Sequence, residues 1–173
     1  PLYHFYPGTE IFSIGTKGCN LKCPFCQNWS ISQDLSVRSS YRNPEDIIKM
    51  AVSAGSIGVA YTYSEPVIWF EYVKDTAQLA RHKGLKNVLV SNGFINPEPL
   101  EELTGFIDAM NIDLKCYNRD VYRKVMKADL EAVKDTIRLA HSLGCFLEIT
   151  TLIVTGINDN FDELMELAGF IAS

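Results

Sequence analysis

Three of the five cysteines fall within eight consecutive positions, in the run Lys17-Gly18-Cys19-Asn20-Leu21-Lys22-Cys23-Pro24-Phe25-Cys26, a C-x3-C-x2-C spacing. Three soft thiolates on one short loop can grip three corners of an iron–sulfur cubane, leaving its fourth iron without a cysteine from that loop. A missing protein ligand is where a substrate or cofactor reaches a metal. The same thiols would also suit a structural zinc ion, which requires a closed set of four ligands. Cys116 and Cys145 are the residues that could close it. Cys145 opens a predicted strand, and nine strand residues at about 3.3 Å each put it roughly 25 Å from the far rim, as an ordinary buried cysteine. Cys116 directly follows a predicted strand end, and is either a neighbour of the clustered thiols or a small core residue. Open three-cysteine loops are unusual for structural zinc, which favours the cluster.

Other polar groups sit at the ends of predicted strands. In Asn111-Ile112-Asp113-Leu114-Lys115 a period of two puts Asn111, Asp113 and Lys115 on one face and Ile112 and Leu114 on the other. Such a face inside a parallel barrel is costly unless it meets a ligand or a partner, which favours a site over an internal Asp113 to Lys115 pair. Glu148 and Thr150 share a parity on the last predicted strand and are candidates for the same cavity. Ser91-Asn92-Gly93 follows a strand and would make a polar turn with or without a ligand. His4, His82 and His141 show no ligand spacing and are given no role.

The elements that position these groups alternate. Strands are expected over 10–15, 57–63, 87–91, 109–114 and 146–154, with the cysteines in a loop over 16–28. Helices are expected near 66–82, 97–103 and 128–143. Asn43-Pro44-Glu45 reads as an N-cap, a proline in the first turn and an acidic start, opening a helix that Gly55 stops. Leu164, Leu167, Ala168 and Ile171 give a last segment helical spacing. The fold class is therefore α/β, a partial open (β/α) barrel of about five βα units, with function expected at the C-terminal ends of its strands. Without an initiator methionine and with a final element still running, residues 1–173 read as one core domain, incomplete at both ends.

Composition fits this reading. Over 173 residues, 47% hydrophobic and 21% charged content suits one ordered domain. A net charge of −5, with cations scattered along the chain, argues against nucleic acid as a main ligand. No run approaches the ~20 apolar residues of a membrane span, and there is no basic-then-apolar leader. An odd cysteine count suits a reducing compartment, so a cytoplasmic protein is expected.

The cysteine loop resembles the cluster-binding motif of the radical S-adenosylmethionine (SAM) superfamily. Tyr63-Ser64-Glu65-Pro66 resembles that family's Gly-Gly-Glu-Pro segment, with both glycines replaced. The resemblance implies that Glu65 binds the methionyl amino group and that Ser64 offers a hydroxyl contact. Ser91-Asn92-Gly93 is similar to the Thr-Asn-Gly of glycyl-radical-activating members, implying hydrogen bonds from Ser91 and Asn92; Val90 stands where an Asp often precedes it. The Asp-x-Lys of Asp113 and Lys115 is similar to the pattern that binds the amino-acid part of SAM, with Lys115 facing its carboxylate. Phe25 takes the aromatic position beside the adenine, and Thr150 is a further candidate contact. The segment from Pro1 to Gly8, leading into Gly18-Cys19-Asn20-Leu21, narrows the resemblance to the radical enzymes of AmmeMemoRadiSam systems, relatives of pyruvate formate-lyase activating enzyme. Val154-Thr155-Gly156 departs from that family's Pro-Gly. The resemblance implies a [4Fe-4S] cluster held by Cys19, Cys23 and Cys26, and SAM on the open iron. One electron from a flavodoxin or ferredoxin then cleaves SAM to methionine and a 5'-deoxyadenosyl radical, which abstracts hydrogen from a glycine of a partner protein or from a small molecule. A non-catalytic electron-transfer protein or a zinc-binding module are the readings from other classes.

Overall fold

A computed structural model describes residues 2–34 and 36–173. Five strands, β1 (Phe12–Ile14), β2 (Gly58–Tyr61), β3 (Lys86–Ser91), β4 (Ala109–Asp113) and β5 (Phe146–Thr150), form one parallel sheet in the order β1-β2-β3-β4-β5. Each strand thus pairs with its predecessor in the chain, as successive right-handed βα units produce. Pairs such as Phe12 with Val59, Val59 with Asn87, Val88 with Ala109 and Ala109 with Phe146 set the register. The sheet is open, so β1 and β5 each pair on one side.

The helices are α1 (Trp29–Ser32), α2 (Pro44–Ser53), α3 (Phe70–His82), α4 (Pro97–Thr104), α5 (Arg119–Val121), α6 (Leu130–Ser142) and α7 (Phe161–Ala172). Sheet parity separates two environments. Val59, Tyr61, Leu89, Met110 and Ile112 belong to the main core, with Ile47 and Ala51 of α2, Val73 and Ala77 of α3, and Val133 and Ile137 of α6. Ala60, Val88 and Ala109 point to the other face, where Leu2 and Phe5 of the N-terminal segment cover them. That inner face also carries Asn111 and Asp113, as the period of two predicts.

Several boundaries differ from expectation for local reasons. α2 begins as predicted, with Asn43 accepting from the Asp46 amide at 3.1 Å. The helix expected over 66–82 divides: a 3-10 turn spans Pro66–Trp69 before α3, because the Glu65 carboxylate takes the Val67 amide at 3.2 Å. β1 stops at Ile14, where a Cβ at Gly15 would meet the Thr62 carbonyl at 2.8 Å. β5 ends at Thr150 rather than 154. Beyond it buried Asn158 donates to the Leu152 and Lys115 carbonyls at 2.7 and 2.6 Å and accepts from the Val154 amide at 2.6 Å, curling the chain back over β4. The sequence reading missed α1, α5 and the π-helical turn Tyr122–Met126, all too short for a hydrophobic period to register. No helix among the described residues is long and apolar enough to cross a membrane.

Candidate functional site

The cysteine loop leaves β1 and is tied down from several directions. The Gly18 amide donates to the Ile31 carbonyl at 2.8 Å, and the Gly18 carbonyl accepts from the Glu65 amide at 3.4 Å. Gly18 has φ of +101° and a Cβ there would meet Ile68 at 2.8 Å, so only glycine fits without displacement. Leu21, 1% exposed, anchors the loop in the core. The Lys22 amide donates to the Met126 carbonyl at 2.9 Å, and the Gln33 side chain caps the Leu21 carbonyl at 3.0 Å. The short α1 and the π turn therefore serve as braces for this loop.

Beside the loop, at the C-terminal ends of the strands, lies a cavity of about 550 Å³. Cys19, Cys23 and Cys26, Phe25, Ser64 and Glu65, Ser91 and Asn92, Asp113 and Lys115, and Thr150 all line it, together with Asn111. These residues come from the loop and from the ends of β2, β3, β4 and β5, and only the parallel sheet brings them together.

The electrostatics are specific. Cys19 Sγ accepts from the Leu21 amide at 3.4 Å and from Asn92 Nδ2 at 3.6 Å, while Asn92 Nδ2 also donates to Asn20 Oδ1 at 2.8 Å. Burial pushes the Cys19 thiol up and carries Cys23 to about 11, against the opposing Lys115 charge at Cys23. A bound cation would reverse that balance, since a coordinating thiol is deprotonated outright. Glu65 is 1% exposed and accepts from Ser91 Oγ and the Asn92 amide, both at 2.8 Å. Burial nonetheless raises its carboxyl to about 7. Lys115 Nζ lies 2.8 Å from Asp113. Burial opposes the Lys115 charge, but Asp113, with Cys23 and Glu65 behind it, holds the ammonium above the usual lysine range. The expected inward face and the alternative ion pair thus occur together.

Some expectations fare differently. Ser64 lines the cavity, yet its hydroxyl donates to the Thr16 carbonyl at 2.6 Å. Tyr63 replaces a glycine but adopts φ of +72°, and Asn28 Nδ2 holds its carbonyl at 2.6 Å. A left-handed residue with a Cβ costs about 1–2 kcal/mol. Glu148 is claimed by the N-terminal segment, accepting from the Tyr3 and His4 amides at 2.8 and 2.6 Å. Cys116 is a 1% exposed core residue with Sγ 3.6 Å from the Asn118 carbonyl, and Cys145 is buried at the opposite end of β5. Neither stands among the cavity's lining residues. Sequence reasoning missed Asn20, Gln33 and Tyr122, whose hydroxyl accepts from the Lys115 amide at 3.0 Å. No spacing distinguishes them; they act through bonds that only the folded chain makes.

The profile of the Radical SAM superfamily matches residues 13–171. The chain belongs to the radical SAM superfamily. Its members use a [4Fe-4S] cluster and SAM. An uncharacterized protein of Methanocaldococcus jannaschii is 46% identical over 173 residues, covering 99% of this chain and 51% of that protein. The chain thus spans about half the length of that relative. A second protein of the same organism, provisionally named a glycyl-radical enzyme activating enzyme, is 28% identical, covering 91% of this chain and 67% of that protein. In three dimensions the chain is similar to Streptococcus suis SuiB bound to SAM, with a TM-score of 0.71 at 15% identity, covering 94% of this chain and 38% of SuiB. That likeness shows the fold.

The donor set fits the family's cluster. Three thiols line one wall, one of them receiving two N–H groups, and a buried carboxylate and an ammonium line the same cavity.

Proposed function

We propose that the cavity binds SAM against a [4Fe-4S] cluster held by Cys19, Cys23 and Cys26, and that the protein is a radical SAM enzyme abstracting a hydrogen atom from its substrate. The observation that carries this reading is the convergence of the three thiols, Glu65 and the Asp113 to Lys115 pair on one cavity. When bound, the reduced cluster supplies the electron that cleaves SAM to methionine and the 5'-deoxyadenosyl radical.

The chain's own residues bind, orient and exclude water. Glu65 receives the SAM ammonium, a charge-assisted pair whose carboxylate is held in place by Ser91 and the Asn92 amide. Lys115 faces the SAM carboxylate, and Asp113 fixes the direction of its Nζ. Phe25 offers its ring to the adenine, and Ser64 and Thr150 complete the wall. Asn92 positions the Cys19 sulfur. The buried floor keeps water from a primary carbon radical, which would react with the nearest hydrogen donor. For the substrate we favour a backbone glycine of a partner protein, as in pyruvate formate-lyase activating enzyme; the name of the 28% identical relative supports this.

The test is anaerobic reconstitution with iron and sulfide, then EPR of the reduced protein with and without SAM. A [4Fe-4S]+ signal that changes on adding SAM, and is absent from Cys23→Ala, is the expected result. Zinc with no iron chromophore would overturn the proposal.

A further inference from the structure

Glu148 lies on β5 two residues before Thr150, which lines the SAM cavity. Its side chain is 11% exposed and reaches across to the N-terminal segment, accepting from the Tyr3 amide at 2.8 Å and the His4 amide at 2.6 Å, with His4 Nδ1 at 3.5 Å. Burial works against its charge, yet those amides and the His4 ring hold its carboxyl below the usual carboxylate range. The segment it grips crosses the inner face of the sheet from one edge to the other. At β5 the Phe5 ring lies 5.5 Å from that of Phe146. In the middle Leu2 and Phe5 pack on Ala60, Val88 and Ala109, none of them larger than valine. Toward β1 the Thr9 hydroxyl donates to the Tyr6 carbonyl at 2.7 Å and closes the turn that leads to the strand.

Between this segment and the inner face lies a second cavity, of about 430 Å³. Tyr3, Thr62, Tyr63 and Val90 line both it and the SAM cavity. Thr62, Tyr63 and Val90 belong to the sheet and the loop after β2, whereas Tyr3 belongs to the segment, so the segment's placement sets the boundary between the two spaces. Tyr3 is 74% exposed, and its own burial does little to fix it. The bonds to Glu148 do.

We propose that Glu148 is a positioning residue for the SAM cavity: by gripping the Tyr3 and His4 amides it holds Tyr3 as the cavity's wall on the side of the N-terminal segment, and latching of the segment and SAM binding strengthen each other. The inference rests on the function proposed above. Two charge-assisted bonds to adjacent amides fix both the position and the direction of the backbone. With the latch open, Tyr3 leaves the boundary and the two cavities join. SAM, binding better to the cavity with its wall in place, shifts the segment toward the latched state by the same factor that the latch tightens SAM.

The test uses the cluster-loaded protein. Amide hydrogen exchange at Tyr3 and His4 is followed with and without SAM, and SAM affinity is measured by calorimetry, in the parent, Glu148→Ala, Glu148→Gln and Tyr3→Ala. Glu148→Ala is expected to speed exchange at both amides roughly 10–100-fold, the worth of a hydrogen bond to a charged group. It should weaken SAM binding by about 5-fold or more, with Glu148→Gln, which keeps one acceptor, between. SAM should slow exchange at these amides in the parent and leave it unchanged in Glu148→Ala. Tyr3→Ala retains both backbone bonds, so its amides stay protected while SAM binds more weakly, a combination that general loosening of the fold does not produce. Equal SAM affinity in the parent, Glu148→Ala and Tyr3→Ala would overturn the proposal, as would exchange at Tyr3 and His4 that SAM leaves unchanged in the parent. If Glu148→Ala fails to fold, Tyr3→Ala and the parent's own exchange still decide. EPR of the same samples separates the two proposals: a cluster signal that changes with SAM while the latch stays uncoupled sinks this inference alone, whereas a parent that assembles no cluster sinks both.

Discussion

Glu65→Gln should remove a pH-dependent cost of the unliganded fold. Burial is the largest influence on the Glu65 carboxyl and lifts it from an ordinary 4.5 to about 7, although the Asn92 amide, the Ser91 hydroxyl, the Val67 amide and Lys115 all favour the anion. The folded chain therefore holds this proton more tightly than the unfolded chain. The stability it contributes is complete below pH 4.5 and is lost as the pH rises through 7. That difference amounts to about 3 kcal/mol once the pH is above 7. Glutamine stays neutral and can still accept one of the bonds. Its NH2 group, however, meets a donor where a carboxylate oxygen was, a pH-independent cost of about 1–3 kcal/mol. Urea unfolding of both proteins from pH 5 to 8 separates the two effects. The parent should lose about 2–3 kcal/mol relative to the variant across that range. Parallel pH profiles would refute the reasoning. Seating an ammonium beside Glu65 should also expel its proton. Titrating SAM into the cluster-loaded parent near pH 7, in buffers of different ionisation enthalpy, should therefore register proton release that Glu65→Gln abolishes. The variant should bind SAM roughly 10–100-fold more weakly, the worth of a hydrogen bond between charged groups.

Asn92→Ala removes a donor to the Cys19 sulfur, so the reduced cluster loses stabilisation and its midpoint potential should fall by roughly 40 mV, the equivalent of about 1 kcal/mol. An EPR-monitored redox titration reads this directly, and an unchanged potential would show that the contact does not persist in the loaded protein. Asn158→Ala strands the Lys115 and Leu152 carbonyls and the Val154 amide, and should destabilise the fold by about 3 kcal/mol in urea unfolding. A loss under 1 kcal/mol would mean that water replaces the side chain.

Much of this protein was legible in its sequence because the informative patterns are local. The C-x3-C-x2-C spacing places three thiols on one loop whatever surrounds it. The alternation of Asn111, Asp113 and Lys115 against Ile112 and Leu114 follows from strand geometry alone. Asn43-Pro44-Glu45 marks a helix start through the chemistry of its own first turn. The strand centres and helices α2, α4, α6 and α7 follow from hydrophobic periods within single segments.

What the tertiary structure decided involves partners distant in the chain. Glu65 becomes a buried, proton-holding carboxylate because Ser91 and Asn92 arrive from the next strand. Glu148 leaves the cavity because the amides of Tyr3 and His4, about 145 positions away, claim it. β5 shortens because Asn158 folds back onto Lys115, 43 positions earlier. The cysteine loop is braced because one backbone bond from Lys22 to Met126 joins two stretches about a hundred positions apart. Periodicity and spacing report what a segment prefers on its own, whereas charge, burial and hydrogen bonding depend on which segments share a space, and the order of the parallel sheet settles that.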